Sequence, residues 1–144
     1  MARQYRTTLL RRIGNALIEP LAKLGLGPRG IHVLTVTGRK SGKQYATPVN
    51  LVLRDGVQYL VAPYGEVAWV KNARAAGEVT LRRGRNSQRR RIAEMPPAEA
   101  APVLADYWRL NAITRPFFEV SPDAGSEAFE REATRHPAFR LNHV

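Results

Sequence analysis

Leu34-Thr35-Val36-Thr37-Gly38-Arg39-Lys40-Ser41-Gly42-Lys43-Gln44-Tyr45-Ala46-Thr47-Pro48-Val49-Asn50 is the stretch on which the fold turns. An apolar, β-branched run enters a basic turn that holds two glycines, and a second run leaves it carrying small hydroxyl and amide side chains. The connection is too short for a parallel crossover, so the two runs predict an antiparallel hairpin. Its turn admits two readings. Gly38 and Gly42 allow a tight backbone, and Arg39, Lys40 and Lys43 are charge-assisted donors, which together make an anion cradle. The same residues also compose an ordinary solvated turn.

Working outward, Ile31 to Thr37 and Tyr45 to Leu53 are the first two strands, and Asp55-Gly56 turns the chain into a third, Val57 to Pro63. Tyr64-Gly65 ends this meander. Val67 to Ala76 predicts a helix closed by Gly77, Val79 to Leu81 a fourth strand, and Gln88 to Ala93 a fifth, returning after a turn at Gly84 to Ser87. Pro96-Pro97-Ala98-Glu99 starts a helix that runs to about Asn111, because proline and acids suit a first turn. Thr114 to Ser126 reads as irregular, Ser126 to Arg135 as a short helix, and Ala138 to Leu141 as a last strand. Upstream, Tyr5 to Leu24 has leucines and isoleucines at helical spacing with arginines between them, and Pro20 is placed to kink or split that helix. The expected organisation is a basic amphipathic helix in residues 1–27 followed by one barrel domain in 28–144, an α+β arrangement of about six mostly antiparallel strands with flanking helices.

Composition narrows the function classes. The 144 residues suffice for one domain and carry a formal charge of +11. The first 54 residues hold ten Lys/Arg against one acid, residues 55–91 eight against three, and the remainder five against eight. An anionic partner is therefore expected for the first two thirds of the chain. With no cysteine, neither a disulfide nor a thiolate nucleophile is available, and a cytoplasmic setting is expected. The three histidines, His32, His136 and His143, lack ligand spacing, so no metal site is expected, and His32 on its apolar strand reads as a core residue. No run reaches the length of a membrane span. Gly38 to Lys43 lacks the spacing of a nucleotide-hydrolase phosphate loop, and no serine or histidine makes a triad. What remains is a binding groove, with cations for a charged tail and aromatic walls for a planar ring, in which a cofactor does the chemistry.

One ordered set of motifs resembles a known family. Thr37-Gly38-Arg39-Lys40-Ser41-Gly42, Thr47-Pro48, Asp55-Gly56, Val61-Ala62-Pro63-Tyr64-Gly65, Trp69 with Asn72, and His136-Pro137-Ala138-Phe139-Arg140-Leu141 are similar to those of the deazaflavin-dependent nitroreductases, over roughly residues 28–141. That resemblance implies a split β-barrel and coenzyme F-420, a 5-deazaflavin whose ribityl chain carries a phosphate and an oligoglutamate tail, with FMN the less favoured alternative. It implies a hydride transferred to a hydrophobic quinone-like or nitro-aromatic acceptor. By position it assigns Arg39, Lys40 and Ser41 to the phosphate and tail; Thr47, Pro48, Val49 and Asn50 to the ring edge; Ala62, Pro63, Tyr64 and Gly65 to the ring and ribityl region; and Trp69, Lys71 and Asn72 to the pocket's completion. It leaves the catalytic residues unassigned. Tyr107, Trp108, Phe117 and Phe118 are candidates for the acceptor side, with core the favoured reading of each. Three departures stand out: Tyr45 where the family often has arginine, Trp69-Val70 for its Trp-Tyr pair, and Pro63 and Tyr64 for its serine and glycine.

Other readings stay open at this point. The barrel can hold a lipid or flavin-type ligand without turnover. Arg82, Arg83, Arg85, Arg89, Arg90 and Arg91 compose either a solvated basic edge or a nucleic-acid site, and the absence of interleaved aromatics favours the edge. A homodimer is also open, and the first helix either docks on its own barrel, the favoured reading, or makes a peripheral membrane contact.

Overall fold

The computed structural model describes residues 31–144. The expected helix at Tyr5 to Leu24 and its Pro20 kink lie outside the described residues. Six strands, β1 (Ile31–Thr37), β2 (Gln44–Arg54), β3 (Val57–Val61), β4 (Glu78–Arg83), β5 (Asn86–Glu94) and β6 (Ala138–His143), close a barrel in the order β1-β2-β3-β6-β5-β4, every pairing antiparallel. Asp55 at φ 51° and Gly56 at φ 78° form the two-residue turn between β2 and β3, whose handedness matches strand twist.

Strand alternation decides which residues fill the barrel. Leu34, Val36, Leu60, Val79, Leu81, Phe139 and Leu141 point inward as one buried cluster, with Val49, Leu51 and Ile92 packed on it. Helix α1 (Ala68–Ala76) adds Trp69, Val70 and Ala73 to that cluster, the Trp69 ring 6.3 Å from that of Phe139. Gly77, in left-handed conformation, ends α1 with its N–H on the Ala73 carbonyl at 2.8 Å.

A second apolar layer lies outside the barrel. Val52, Val61 and Ala138 are covered by Ala100, Ala101, Val103, Leu104 and Tyr107 of α2 (Pro97–Leu110), by Phe129 of α3 (Ser126–Glu132), and by Phe118. Tyr107 and Phe118 are therefore core residues, whereas Trp108 and Phe117 are only partly buried against this layer. His32 is half-buried.

Three expectations need correction. Thr114 to Ser126, read as irregular, begins inside a 3-10 helix, Ala112–Phe117, in which Thr114 and Phe118 donate backbone hydrogen bonds back over the turn. The last helix stops at Glu132 rather than Arg135. The arginine-rich β4–β5 hairpin is not a sheet edge: β4 pairs with β1, and β5 with β6. Closure of the barrel removes the edge that the arginines were expected to protect.

Candidate active site

The barrel's pairing is incomplete along one flank of β2. Gln44 to Asn50 pair with β1, but pairing with β3 begins only at Leu51, opposite Leu60. The outer side of Thr47-Pro48-Val49-Asn50 is thus open backbone, half-buried and without a strand partner among the described residues. Pro48, which has no N–H to give a ladder, sits where one flank of the strand has no ladder to complete.

The β1–β2 tip projects past this gap and is braced rather than free. Gly38 N–H donates to the Lys43 carbonyl at 2.7 Å and Gly42 N–H to the Gly38 carbonyl at 3.0 Å. Ser41 Oγ accepts Lys43 N–H at 3.2 Å and lies 3.1 Å from the Tyr45 hydroxyl. The Tyr45 ring crosses Gly38 so closely that a Cβ there would stand 2.5 Å from its Cε2. A side chain at 38 would displace the Tyr45 ring, and Tyr45, the family departure, is part of the turn's own bracing.

Asn72 ties the tip to the barrel. Its buried Oδ1 accepts both Arg39 N–H, at 3.0 Å, and Arg39 Nη1–H, at 2.7 Å. Lys40, Lys43 and Lys71 are exposed. Among the described residues no carboxylate ion-pairs with Arg39, Lys40, Lys43 or Lys71, and the acids that do form ion pairs hold other arginines. Glu66 and Glu94 hold Arg74, Asp106 holds Arg54 and Arg109, Glu132 and Glu119 hold Arg135, and Glu78 holds Arg89. The Arg74 guanidinium correspondingly keeps the Glu66 carboxyl below its ordinary pKa. Among the described residues the tip's cations have no carboxylate partner.

The far wall is assembled from distant segments. Ala62 is buried and Pro63 and Tyr64 half-buried at the end of β3, with Gly65 at φ 85° and its Cβ position 3.0 Å from the Arg135 carbonyl. Tyr64 meets Phe117 edge-on at 5.0 Å. Asn50 Nδ2–H donates to Asn111 Oδ1 at 2.8 Å, so the open strand is tied to the corner between α2 and the 3-10 helix. His136 pins the rest: Nε2 faces the Phe117 carbonyl at 2.8 Å, Nδ1 the Ala62 carbonyl at 3.3 Å, and the ring stacks on Phe118 at 4.0 Å. Burial pushes its pKa below the ordinary value, against the pull of Glu132, so the neutral ring is favoured. A neutral imidazole has one N–H, and the shorter contact assigns it to Nε2, donating to Phe117.

Of the residues singled out in the sequence, 39–41 lie at the β1–β2 tip, 47–50 on the flank of β2 that β3 does not reach, and 62–65 just beyond the end of β3. The structure sets Trp69 in the barrel core and makes Asn72 the tip's brace. His136, which stands in one of the family-like motifs, and Asn111, which stands in none, had no assigned role, because their contacts span 74 and 61 residues. Among the described residues no group of three or more His, Cys, Asp or Glu is placed to hold a metal.

The residues fit a polyanionic, planar cofactor. An anionic tail needs cations that no carboxylate has claimed, and a ring needs open backbone between apolar walls; the gap supplies both. Comparison with known proteins points the same way. The family model described as F-420H(2)-dependent quinone reductase matches residues 7–121. No curated protein sequence matches the chain. An F-420-H2 dependent reductase of known structure is 24% identical, with 79% of this chain and 95% of that one covered and a TM-score of 0.52. A domain-swapped dimer is 19% identical over 92% and 96% of the two chains, with a TM-score of 0.55. An FAD-binding protein from Mesorhizobium loti is 18% identical over 87% and 88%, with a TM-score of 0.50. At these identities the structures share the fold.

Proposed function

The chain belongs to the F-420H(2)-dependent quinone reductase family and is an oxidoreductase that uses coenzyme F-420, and from that premise we propose that it holds the coenzyme in the gap beside the β1–β2 tip and there reduces a hydrophobic, quinone-like acceptor. The observation that carries this reading is the meeting of tip cations, which have no carboxylate partner among the described residues, with the unpaired backbone of Thr47 to Asn50.

When bound, the reduced deazaflavin supplies a hydride. The chain's own residues bind and orient. Arg39, Lys40 and Lys43 attract the phosphate and the glutamate tail, with Arg39 pre-set by Asn72 and Ser41 holding the turn's shape. The backbone of Thr47 to Asn50 offers hydrogen bonds to a ring edge, and Ala62 to Gly65 close over it from the other side. Phe117 and Trp108, partly buried and aromatic, are the acceptor-side walls. Tyr64 joins them through its contact with Phe117. Apolar walls exclude water and align donor with acceptor, which is where catalysis of a cofactor-borne hydride transfer lies.

A homodimer belongs to this reading as its assembly, supported by the domain-swapped fold neighbour, and sedimentation velocity tests it. The activity is tested by following the reoxidation of reduced coenzyme with a soluble naphthoquinone. Turnover that saturates in quinone is expected. Coenzyme that binds but is not reoxidised by quinones or nitro-aromatics overturns the acceptor, and leaves a binding protein.

A further inference from the structure

The segment from Glu132 to Pro137 carries α3 into β6 and holds two walls at once, by different means. The 62–65 wall hangs on its backbone: Ala62 N–H donates to the Pro137 carbonyl at 2.9 Å, and the Arg135 carbonyl lies 3.0 Å from where a Cβ on Gly65 would stand. The Phe117 wall hangs on its side chains. His136 Nε2–H donates to the Phe117 carbonyl at 2.8 Å, the imidazole stacks on the Phe118 ring at 4.0 Å, and Glu132 Oε1 accepts the Glu119 N–H. Phe117, Phe118 and Glu119 are thus clamped in succession. The two walls meet where Tyr64 lies edge-on to Phe117 at 5.0 Å.

Both clamping side chains are polar and buried, Glu132 at 2% exposure and His136 at 4%. A carboxylate is costly to bury and is kept where its oxygens are satisfied. Oε1 of Glu132 takes the Glu119 N–H and Oε2 the Arg135 guanidinium, which also reaches Glu119 Oε1 at 3.4 Å. His136 N–H donates to the Glu132 carbonyl at 2.8 Å, so the two clamps belong to one turn. An apolar side chain fills a core at lower cost than a carboxylate. What the polar pair adds is direction, because each hydrogen bond fixes one backbone group of the Phe117 to Glu119 run.

We propose that Glu132 and His136 are positioning residues for the acceptor: through the backbone of Phe117 and Glu119 they set the Phe117 ring against Tyr64, and with it the alignment of acceptor and hydride donor. The proposal rests on the acceptor side assigned above. Its distinctive consequence follows from the two means of attachment. Substitutions at 132 and 136 loosen the wall held by side chains and spare the wall held by backbone, so they separate turnover from coenzyme binding.

The test uses the full chain with a soluble naphthoquinone as acceptor. His136→Phe keeps a ring against Phe118 but loses the N–H to Phe117, and His136→Gln returns an N–H at about the reach of Nε2. His136→Phe is expected to lower kcat at least about tenfold, since a displacement of about 1 Å can cost about a hundredfold, while the coenzyme Kd from fluorescence quenching stays within about twofold. His136→Gln is expected to regain most of the lost kcat. Glu132→Gln keeps an oxygen for the Glu119 N–H and loses the charge facing Arg135; it is expected to lower kcat about three- to tenfold with Kd again unchanged, so the comparison does not hang on one variant that folds poorly. Amide exchange over residues 117–119, read by mass spectrometry without coenzyme or acceptor, is expected to quicken in His136→Phe and to stay slow in His136→Gln. A His136→Phe protein with the kcat and exchange of wild type, or one that loses kcat and coenzyme affinity together, overturns the proposal. Wild type that binds coenzyme but does not reduce the quinone overturns the function on which the proposal rests, and that result is read before any variant.

Discussion

Asn72→Ala removes the one acceptor that fixes Arg39 at both its backbone and its side chain. A neutral hydrogen bond contributes about 1 kcal/mol and a charge-assisted one about 2 kcal/mol. Arg39 is exposed, so water regains most of the guanidinium half, and the expected net loss of stability is about 1–2 kcal/mol. For a domain of this size that lowers Tm by roughly 3–8 °C. The informative quantity is coenzyme affinity. A released tip must be re-ordered on binding, and if that costs about 1.4 kcal/mol the Kd rises about tenfold. Asn72→Asp separates bracing from charge. It keeps the acceptor oxygens, so Tm should stay close to wild type, but its carboxylate compensates Arg39 and should weaken binding of an anionic tail, most at low salt. Thermal unfolding and fluorescence titration of coenzyme F-420 read the two effects. Asn72→Ala protein with lowered Tm but Kd within about twofold of wild type would refute a role for the tip in holding the tail.

Further outcomes follow from other contacts. Gly38→Ala drives a Cβ to 2.5 Å from the Tyr45 ring and should cost about 1 kcal/mol; because the ring is half exposed, Tyr45→Ala in the same chain should recover most of that loss in a double-mutant cycle. His136 has its pKa lowered by burial, so the unfolded chain takes up its proton first as pH falls. Its contribution is therefore fully present above the ordinary histidine pKa of 6.5 and is lost progressively below it. Thermal unfolding between about pH 7.5 and 5.5 should show a falling Tm, with a flatter profile for His136→Asn despite its lower starting value. An equal slope in both proteins would place the titration elsewhere.

The strands were legible because alternation and turn chemistry are local. Leu34 and Val36 face inward by period, and Asp55-Gly56 is a turn by residue type. Closure was not legible: that β4 returns to β1 and β5 to β6 depends on partners far along the chain, so the arginine hairpin was mistaken for an edge. The cradle at Gly38 to Lys43 was visible as glycine plus cations, and the family motifs ordered the rest. The gap in β2 is different in kind. It arises because β3 is too short to reach past Leu51, a length mismatch between two strands that no single motif states. Asn72 illustrates the same limit, since its helix gave no hint that its amide would reach across to Arg39 rather than face a ligand.

The most direct test of the central claim compares two ligands by fluorescence titration: coenzyme F-420 and the same deazaflavin without phosphate and glutamates. The wild type should bind the full coenzyme at least about tenfold more tightly, with an advantage that shrinks as salt is raised and collapses in Lys40→Ala with Lys43→Ala. Equal affinity for the two ligands, or an advantage untouched by removing both lysines, would contradict a gap whose cations hold the anionic tail.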